Sequence, residues 1–432
     1  RGLGDVYKRQ MIGSVLLLVS GRVFRESGKR PLNQPVIMSN HTHSAFLMHV
    51  PTRLLFGAGQ LENLHAEALP GRKAMIVISN GKSTRANGYL DHLTGQLDKA
   101  GIACAVFDRV EPNPLNSTVN AGGRFAREHG CDFIIALGGG SCMDAAKSIA
   151  LIAVNDGDYW DYIPSGTGKG KPVSNRPLPI VAITTTAGTG SEADAGTVIT
   201  NEKTHEKTGF VHPDLFPALS IVDPELMLTV PPLFTAFQGF DALFHSVEGY
   251  VSNGTNLMSD MYALEAIKHI SRYLPRAVAD GSDLKARTHV AFGNTLSGYV
   301  MCVGRCTSEH SLEHALSAYH QELPHGAGLI MISKAYFTHL IERHVADERF
   351  VRMAQAMGMP EAADPMDFIT MLDRLQRDCG VSGLRMSDYG IAPEEFGKMA
   401  HNARETMGFL FQCDRAELSV EDCVSIYRKS YL

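Results

Sequence analysis

The run Phe133-Ile134-Ile135-Ala136-Leu137-Gly138-Gly139-Gly140-Ser141 leads from a wholly apolar stretch into three successive glycines. An apolar run of this length, closed by glycine, predicts a strand buried on both faces of a sheet, and the stretch beyond it, Cys142 to Ala153, reads as a helix. Glycine lets the backbone take positive φ and approach a ligand closely, and the helix N-terminus offers free N–H donors and a positive dipole end to a phosphate. Ser141 is expected to cap that helix, with Asp144 three residues on in a capping-box-like position. The same rhythm recurs outward from this point. Apolar, β-rich runs at Ala74 to Ser79, Ala103 to Asp108 and Ile180 to Thr184 are separated by helix-compatible stretches such as Tyr89 to Ala100 and Asn116 to His129, and a further strand is expected at Leu219 to Val222. Alternating βα units predict a mostly parallel, doubly wound sheet. Pro231 and Pro232 then punctuate the chain, and the remaining residues read as long amphipathic helices with little β-rich alternation.

The chain has 432 residues, 44% hydrophobic and 20% charged, the composition of an ordinary globular protein. Forty Lys and Arg against 46 Asp and Glu give a formal charge of -6, too mild and too evenly spread to point to nucleic acid or anionic membrane. No stretch approaches the roughly 20 apolar residues that span a bilayer. The eight cysteines are scattered, which fits reduced thiols in a cytoplasm better than a disulfide framework. Cys302 and Cys306 lie four apart, but no second pair completes a four-thiolate site, and they read as small core residues. The ten residues ahead of Met11 read as foreign to the fold, and Met38 and Met48 are both candidate starts. Three segments are expected: a disordered or wrongly extended stretch at 1–47, an α/β dinucleotide-binding domain at 48–228 and a helical metal and substrate domain at 229–432.

A second turn, Thr184-Thr185-Thr186-Ala187-Gly188-Thr189-Gly190-Ser191, also follows a buried-looking strand and concentrates hydroxyls at its end. Ligands of open α/β sheets bind beyond the strands' carboxyl ends, so two such turns in one sheet favour a nucleotide crevice over ligand-free connections. The GxGxxG fingerprint is absent, and the turns alone leave the nucleotide's identity open. After the strand at 74–79 come Asn80, Gly81, Lys82, Ser83, Thr84 and Arg85. No carboxylate stands there to accept from a ribose 2′-hydroxyl, while Lys82 and Arg85 could neutralise a 2′-phosphate, which leans the choice toward NADP(H).

In the second half, Asp241 and His245 are four apart on a predicted helix and share a face, and so are His310 and His314; Pro324-His325-Gly326 comes next. Four histidines and an aspartate in two helical pairs plus a loop form a ligand inventory for a divalent transition metal. Residues 310–314 also match HxxEH, the inverted zinc-peptidase pattern with Glu313 as general base, a rival reading that explains neither upstream turn.

With GGGSCMDAAKS (138–148), TTTAGTGSE (184–192), GFDALFHSVEGYVS (239–252), EHSLEHALSAYHQELPHG (309–326) and NARETMGFLF (402–411) in this order, the sequence resembles the iron-containing alcohol dehydrogenases from about Met48 to Leu432. The resemblance implies an α/β plus α architecture: a Rossmann-like parallel-sheet domain, then an all-helical metal-binding domain, dehydroquinate synthase-like overall, with the active site between them. Carried over by motif, Asp241, His245, His310 and His325 stand in the metal-ligand places. His314 matches a histidine near the nicotinamide that is often assigned to proton transfer. Gly139, Gly140 and Ser141 match the pyrophosphate loop, Asn113, Thr185, Thr186, Thr189 and Lys207 match other cofactor contacts, and Asp144 is grouped with them. NAD-preferring relatives carry an Asp near the end of the second strand, whereas Asn80, Gly81, Lys82 and Ser83 here are similar to NADP-using members. One extra residue between His314 and His325 shifts the loop but leaves the ligand. The implied activity is hydride transfer between NAD(P)(H) and a small primary alcohol or aldehyde, with one Fe2+ or Zn2+, in a cytoplasmic homodimer that contacts neither nucleic acid nor membrane. Polyol oxidation of the glycerol-dehydrogenase kind stays within that class. A dehydroquinate-synthase-like lyase would want basic residues around the metal histidines, where Arg305 stands alone, and a non-catalytic binding protein would not need all four ligand positions filled.

Overall fold

The computed structural model describes residues 46–431, so most of the expected 1–47 extension lies outside the described residues. The strands are β1 (Arg53–Phe56), β2 (Lys73–Ser79), β3 (Ala103–Val110), β4 (Phe133–Gly138), β5 (Ile180–Thr184), β6 (Gly196–Asn201), β7 (Glu206–Val211) and β8 (Leu219–Val222). Six of them form one sheet in the order β1-β8-β5-β4-β2-β3, with every neighbouring pair parallel. β4 and β5 are buried along their whole length, which is why they read as unbroken apolar runs rather than alternating ones. Side chains alternate between two apolar layers: Met75, Val77, Ile134 and Ala136 face one, Ala74, Ile76, Ile135 and Leu137 the other.

Helices α1 (Ser83–Ala86), α2 (Tyr89–Lys99), α3 (Asn116–Glu128) and α4 (Gly140–Ile152) connect the early strands. The chain lays β3 to one side of β2 and then β4 to the other, so the connections diverge between β2 and β4. The crevice outside the carboxyl ends of those two strands is where an open sheet accepts a ligand, and the three-glycine turn leaves β4 there. The antiparallel hairpin β6–β7 stands apart from the sheet, and neither it nor β1 is apparent from the sequence pattern.

Among the described residues, everything after Pro231 is helical or connecting: α5 (Pro232–Val251), α6 (Leu257–Ala279), α7 (Leu284–Val303), α8 (Ser308–Tyr319), α9 (His325–Glu342), α10 (Asp347–Ala356), α11 (Met366–Asp378), α12 (Phe396–Thr406), α13 (Gly408–Phe411) and α14 (Val420–Ser430). Pro232 sits in the first turn of α5, where its missing N–H costs nothing. These helices share one large core that includes Phe240, Phe244, Leu312, Phe337 and Tyr427. No helix among the described residues is long and apolar enough to cross a membrane.

One local expectation fails. Gly139, not Ser141, occupies the N-cap of α4, and no side chain caps it. Asp144 is turned inward, where its two oxygens accept from Ser191 Oγ at 2.8 Å and from the Val198 N–H at 2.9 Å. The helix starts two residues earlier than the hydroxyl pattern suggested, which places Asp144 on the face that meets the second turn.

Candidate active site

Two features meet at the sheet's carboxyl edge. A Cβ built on Gly139 would lie 2.8 Å from Thr186 Oγ1, and one on Gly140 would lie 2.2 Å from Thr189 Cγ2. The glycine turn and the threonine turn therefore pack backbone against hydroxyl, and the free N–H groups at the start of α4 share the cleft with Thr185, Thr186 and Thr189. Behind them, wholly buried Lys147 donates to Ser191 Oγ (2.8 Å), Asp194 Oδ1 (2.9 Å) and the Gly196 carbonyl (2.9 Å), fixing the threonine turn to α4. Asp144 belongs to this internal network and not to the cleft surface. At the end of β2, Lys82 is exposed, as are Gly81 and Ser83, but Arg85 is engaged by Asp108 at 2.8 Å. Of the two cations expected to meet a 2′-phosphate, Arg85 already has a carboxylate partner.

Asn113 and Lys207 meet away from the turns. Asn113 holds a positive φ of 53°. Its amide donates to the Gln321 carbonyl at 3.0 Å, while Lys207 Nζ, carried by β7, donates to Asn113 Oδ1 (3.0 Å) and Ser317 Oγ (2.8 Å) and lies 3.5 Å from Glu313. The hairpin thus serves to deliver an ammonium to α8 and to Asn113.

Asp241 Oδ1 has three nitrogens around it: His245 Nδ1 at 3.4 Å, His310 Nε2 at 3.5 Å and His325 Nε2 at 3.5 Å. Arms of about 2.0–2.1 Å at tetrahedral angles separate ligand atoms by roughly 3.4 Å, so this spacing suits a cation between them. Asp241 Oδ1, His245 Nδ1 and His310 Nε2 are all buried with no hydrogen-bond partner among the described residues. Several converging buried polar atoms without partners are expensive, at about 1–3 kcal/mol each, and a cation satisfies them together. The residues present therefore fit a divalent metal. Asp241, His310 and His325 form one group of potential ligands; His245 falls in an overlapping group with His310 and Cys306.

The supporting partners were missed by sequence reasoning. Glu248 lies seven residues after Asp241 and three after His245, on the same face of α5. Its carboxylate bonds His310 Nδ1, while its other oxygen accepts from the Thr307 N–H at 2.8 Å. Glu313 bonds His325 Nδ1. Each carboxylate orients a ring so that Nε2 faces Asp241. The i, i+4, i+7 series Asp241, His245, Glu248 was the available signal. Glu313, engaged by His325 and wholly buried, is in no position to activate a water, which overturns the HxxEH peptidase reading.

Burial alone would raise the Asp241 carboxyl, but the imidazoles of His245 and His325 hold it well below the usual carboxylate range. Burial pushes His245 down to about 4, leaving a neutral imidazole near neutral pH. Burial, then the nearby Lys207 ammonium, hold His314 well below the ordinary imidazole value. His314 lies beside His325, with ring centroids 5.2 Å apart, and its Nδ1 is 2.8 Å from Met407 Sδ.

Residues 51–224 match the family described as iron-containing alcohol dehydrogenase, and residues 235–431 match its C-terminal region. The chain belongs to the iron-containing alcohol dehydrogenase family. It is 35% identical to a 1,3-propanediol dehydrogenase of Citrobacter freundii over 82% of this chain and 91% of that protein. It is 30% identical to the NAD-dependent methanol dehydrogenase of Bacillus methanolicus, covering 88% of this chain and 98% of the relative. Among solved structures it is similar to an archaeal halo-thermophilic alcohol dehydrogenase from a Red Sea brine pool, with a TM-score of 0.86 and 33% identity across 90% of this chain and all of that one. Membership in this family accounts for the parallel sheet followed by helices and for an oxidoreductase chemistry directed at alcohols.

Proposed function

We propose that this chain moves a hydride between a nicotinamide nucleotide and a small primary alcohol or aldehyde, with a divalent cation held by Asp241, His245, His310 and His325. The observation that carries the reading is the convergence of partnerless Asp241 Oδ1, His245 Nδ1 and His310 Nε2 in a buried site. When bound, the cation supplies a Lewis acid for the substrate oxygen and the nicotinamide supplies the hydride acceptor or donor. Glu248 and Glu313 each take the Nδ1–H of a histidine, so that His310 and His325 present lone pairs at Nε2. Gly139, Gly140 and Ser141, with Thr185, Thr186 and Thr189, form the cradle for the pyrophosphate, while Lys207 fixes Asn113 apart from those turns for a separate contact with the cofactor. In oxidation the alcohol C–H leaves as hydride and the O–H as a proton. His314 Nδ1–H faces the Met407 thioether, leaving Nε2 as the nitrogen that takes this proton, and an imidazole so weakly basic passes it on to solvent.

The finer choices rest on fewer residues. Exposed Lys82, in a stretch (residues 80–85) that contains no acidic residue, supports NADP(H), whereas the Bacillus methanolicus relative is named for NAD. The histidine-rich ligand set suits Zn2+ or Fe2+. All eight cysteines are free, including exposed Cys104, which fits the cytoplasm. The expected 48–228 and 229–432 domains would then divide the cofactor and cation roles, and a homodimer is the expected assembly, readable by sedimentation. The test replaces His325 by Ala. Metal content and NADPH- or NADH-linked aldehyde reduction should fall together, by at least 100-fold in rate; full activity in a metal-free His325→Ala protein would sink the reading.

A further inference from the structure

The cation site has a softer side that its carboxylate does not serve. Cys306 Sγ lies within 4.8 Å of one nitrogen of His245 and one of His310, as those two lie of each other. His310 is 4% exposed and its Nε2 has no hydrogen-bond partner, and His245 Nδ1 is likewise buried without one. Cys306 itself is 3% exposed and donates to Met301 Sδ at 3.5 Å. Cys306, Met407 and Leu410 form a small apolar cluster of their own with Met301 packed against it, and Met407 Sδ touches His314. Three sulfur atoms therefore gather beside the imidazoles. The segment that carries the thiol is anchored: the N–H and Oγ1 of the next residue, Thr307, both donate to Glu248 Oε2, at 2.8 and 2.9 Å. The carboxylate that orients His310 also fixes the chain beside Cys306.

Thiolate and imidazole together select thiophilic ions, while carboxylate and imidazole tolerate harder ones. We propose that Cys306, His245 and His310 form a second binding position for a thiophilic divalent cation such as zinc or cadmium, overlapping the position of Asp241, His245, His310 and His325 through the two histidines they share. This rests on the cation reading above. Binding replaces the S–H bond by a sulfur–metal bond and releases the proton to solvent; nothing is oxidised or reduced. Zinc arms of about 2.3 Å to sulfur and about 2.0–2.1 Å to nitrogen, set at tetrahedral angles, separate the ligand atoms by roughly 3.5 Å, so the thiol closes in from within 4.8 Å by about 1.3 Å at most, the scale of a side-chain adjustment. Because His245 and His310 are common to both, one chain holds a single cation, and the ion's softness decides on which side it rests.

The experiment titrates the chelator-stripped full chain with cadmium chloride and, separately, with manganese chloride. Cadmium should raise a near-ultraviolet thiolate charge-transfer band that saturates at one equivalent. Cys306→Ser should abolish that band and weaken cadmium binding at least 10-fold while leaving manganese binding within 2-fold. If Cys306→Ser does not fold, cadmium NMR of the unaltered chain reports sulfur ligation directly. Cadmium bound without the band, or a band that survives in Cys306→Ser, overturns the proposal and leaves the Asp241 site standing. A chain that binds neither ion overturns the cation reading itself and this proposal with it.

Discussion

Glu248 is the residue on which both histidine orientation and chain geometry converge, because one oxygen takes His310 Nδ1–H while the other takes Thr307. Glu248→Gln keeps the shape but turns one acceptor into a donor, so cation affinity should fall by about 10–100-fold, read by competition with a chromophoric chelator. Unchanged affinity would show that the ring needs no such partner. A second buried carboxylate reports differently. Glu192 Oε1 accepts from Asn294 (2.9 Å) and Thr295 (2.8 Å), Oε2 has no partner, and burial pushes the group up to about 7. The native state thus binds a proton that the unfolded chain, near 4.5, has already released. Stability should fall as pH rises from about 4.5 to about 7 and stay lowered above that, by up to about 3 kcal/mol. Glu192→Gln mimics the protonated form, so its stability relative to the parent should improve from pH 5 to pH 8 in denaturant titrations; a difference independent of pH would refute the account. Among the proposed ligands, Asp241 and His245 were legible because helical spacing puts them on one face, and His310 because it pairs in the same way with His314. The supporting roles were not: Glu248 continues the face of Asp241 and His245 at i+7, but its bond to His310, like the approach of Cys306, runs between elements that local spacing does not encode.

Two turns and a hairpin do at the element scale what these residues do singly. The strands at 74–79, 133–137, 180–184 and 219–222 were readable because a sheet buried on both faces leaves an apolar run that helices do not imitate at that length, and the largely exposed edge strand at 103–108 because it falls between helix-compatible stretches. β1 escaped because four residues give no period, and β7 because its Lys207, Thr208 and Glu206 are buried by polar contacts instead of apolar ones. The start of α4 was misjudged by two residues because a glycine held in extended conformation, with ψ of -168°, can end a strand and open a helix without a capping hydroxyl. That glycine-to-threonine packing is demanding. Gly140→Ala places a methyl 2.2 Å from Thr189 Cγ2, and the turns must part. Overpacking of this kind costs about 1–3 kcal/mol, and the cradle would lose its fit to phosphate, raising KM for the nicotinamide nucleotide at least 10-fold while cation content is unchanged. A loss of cation with KM intact would place the fault elsewhere.

Across the whole molecule the threonine turn is the joint. Its Thr186 and Thr189 face the glycine turn, while Gly188 packs so closely on α5 that a Cβ there would lie 3.1 Å from Gln238 Cα and 3.2 Å from Asp241 Oδ2. Two residues on, Gly190 takes a φ of +64°, and its N–H bonds Asn294 Oδ1 on α7 at 2.9 Å; a Cβ would meet Gly298 at 2.6 Å. The segment that would contact a pyrophosphate is thus wedged between two helices of the other half, against the oxygen partner of the cation-facing Asp241 Oδ1. A cation that settles Asp241 settles Gly188 as well, and a nucleotide that draws Thr189 toward its phosphates pulls on the same link. Interiors packed this closely transmit such shifts instead of absorbing them. Nucleotide and cation affinities should therefore be coupled, by about 5-fold or more, and linkage requires the same factor in both directions. Titrating NADPH into the stripped and the cation-loaded chain, and the cation into the chain with and without NADPH, measures both sides. Equal factors above unity support a rigid joint at Gly188. Affinities that ignore one another would mean that the turn yields locally, and that the two halves of the site are assembled independently.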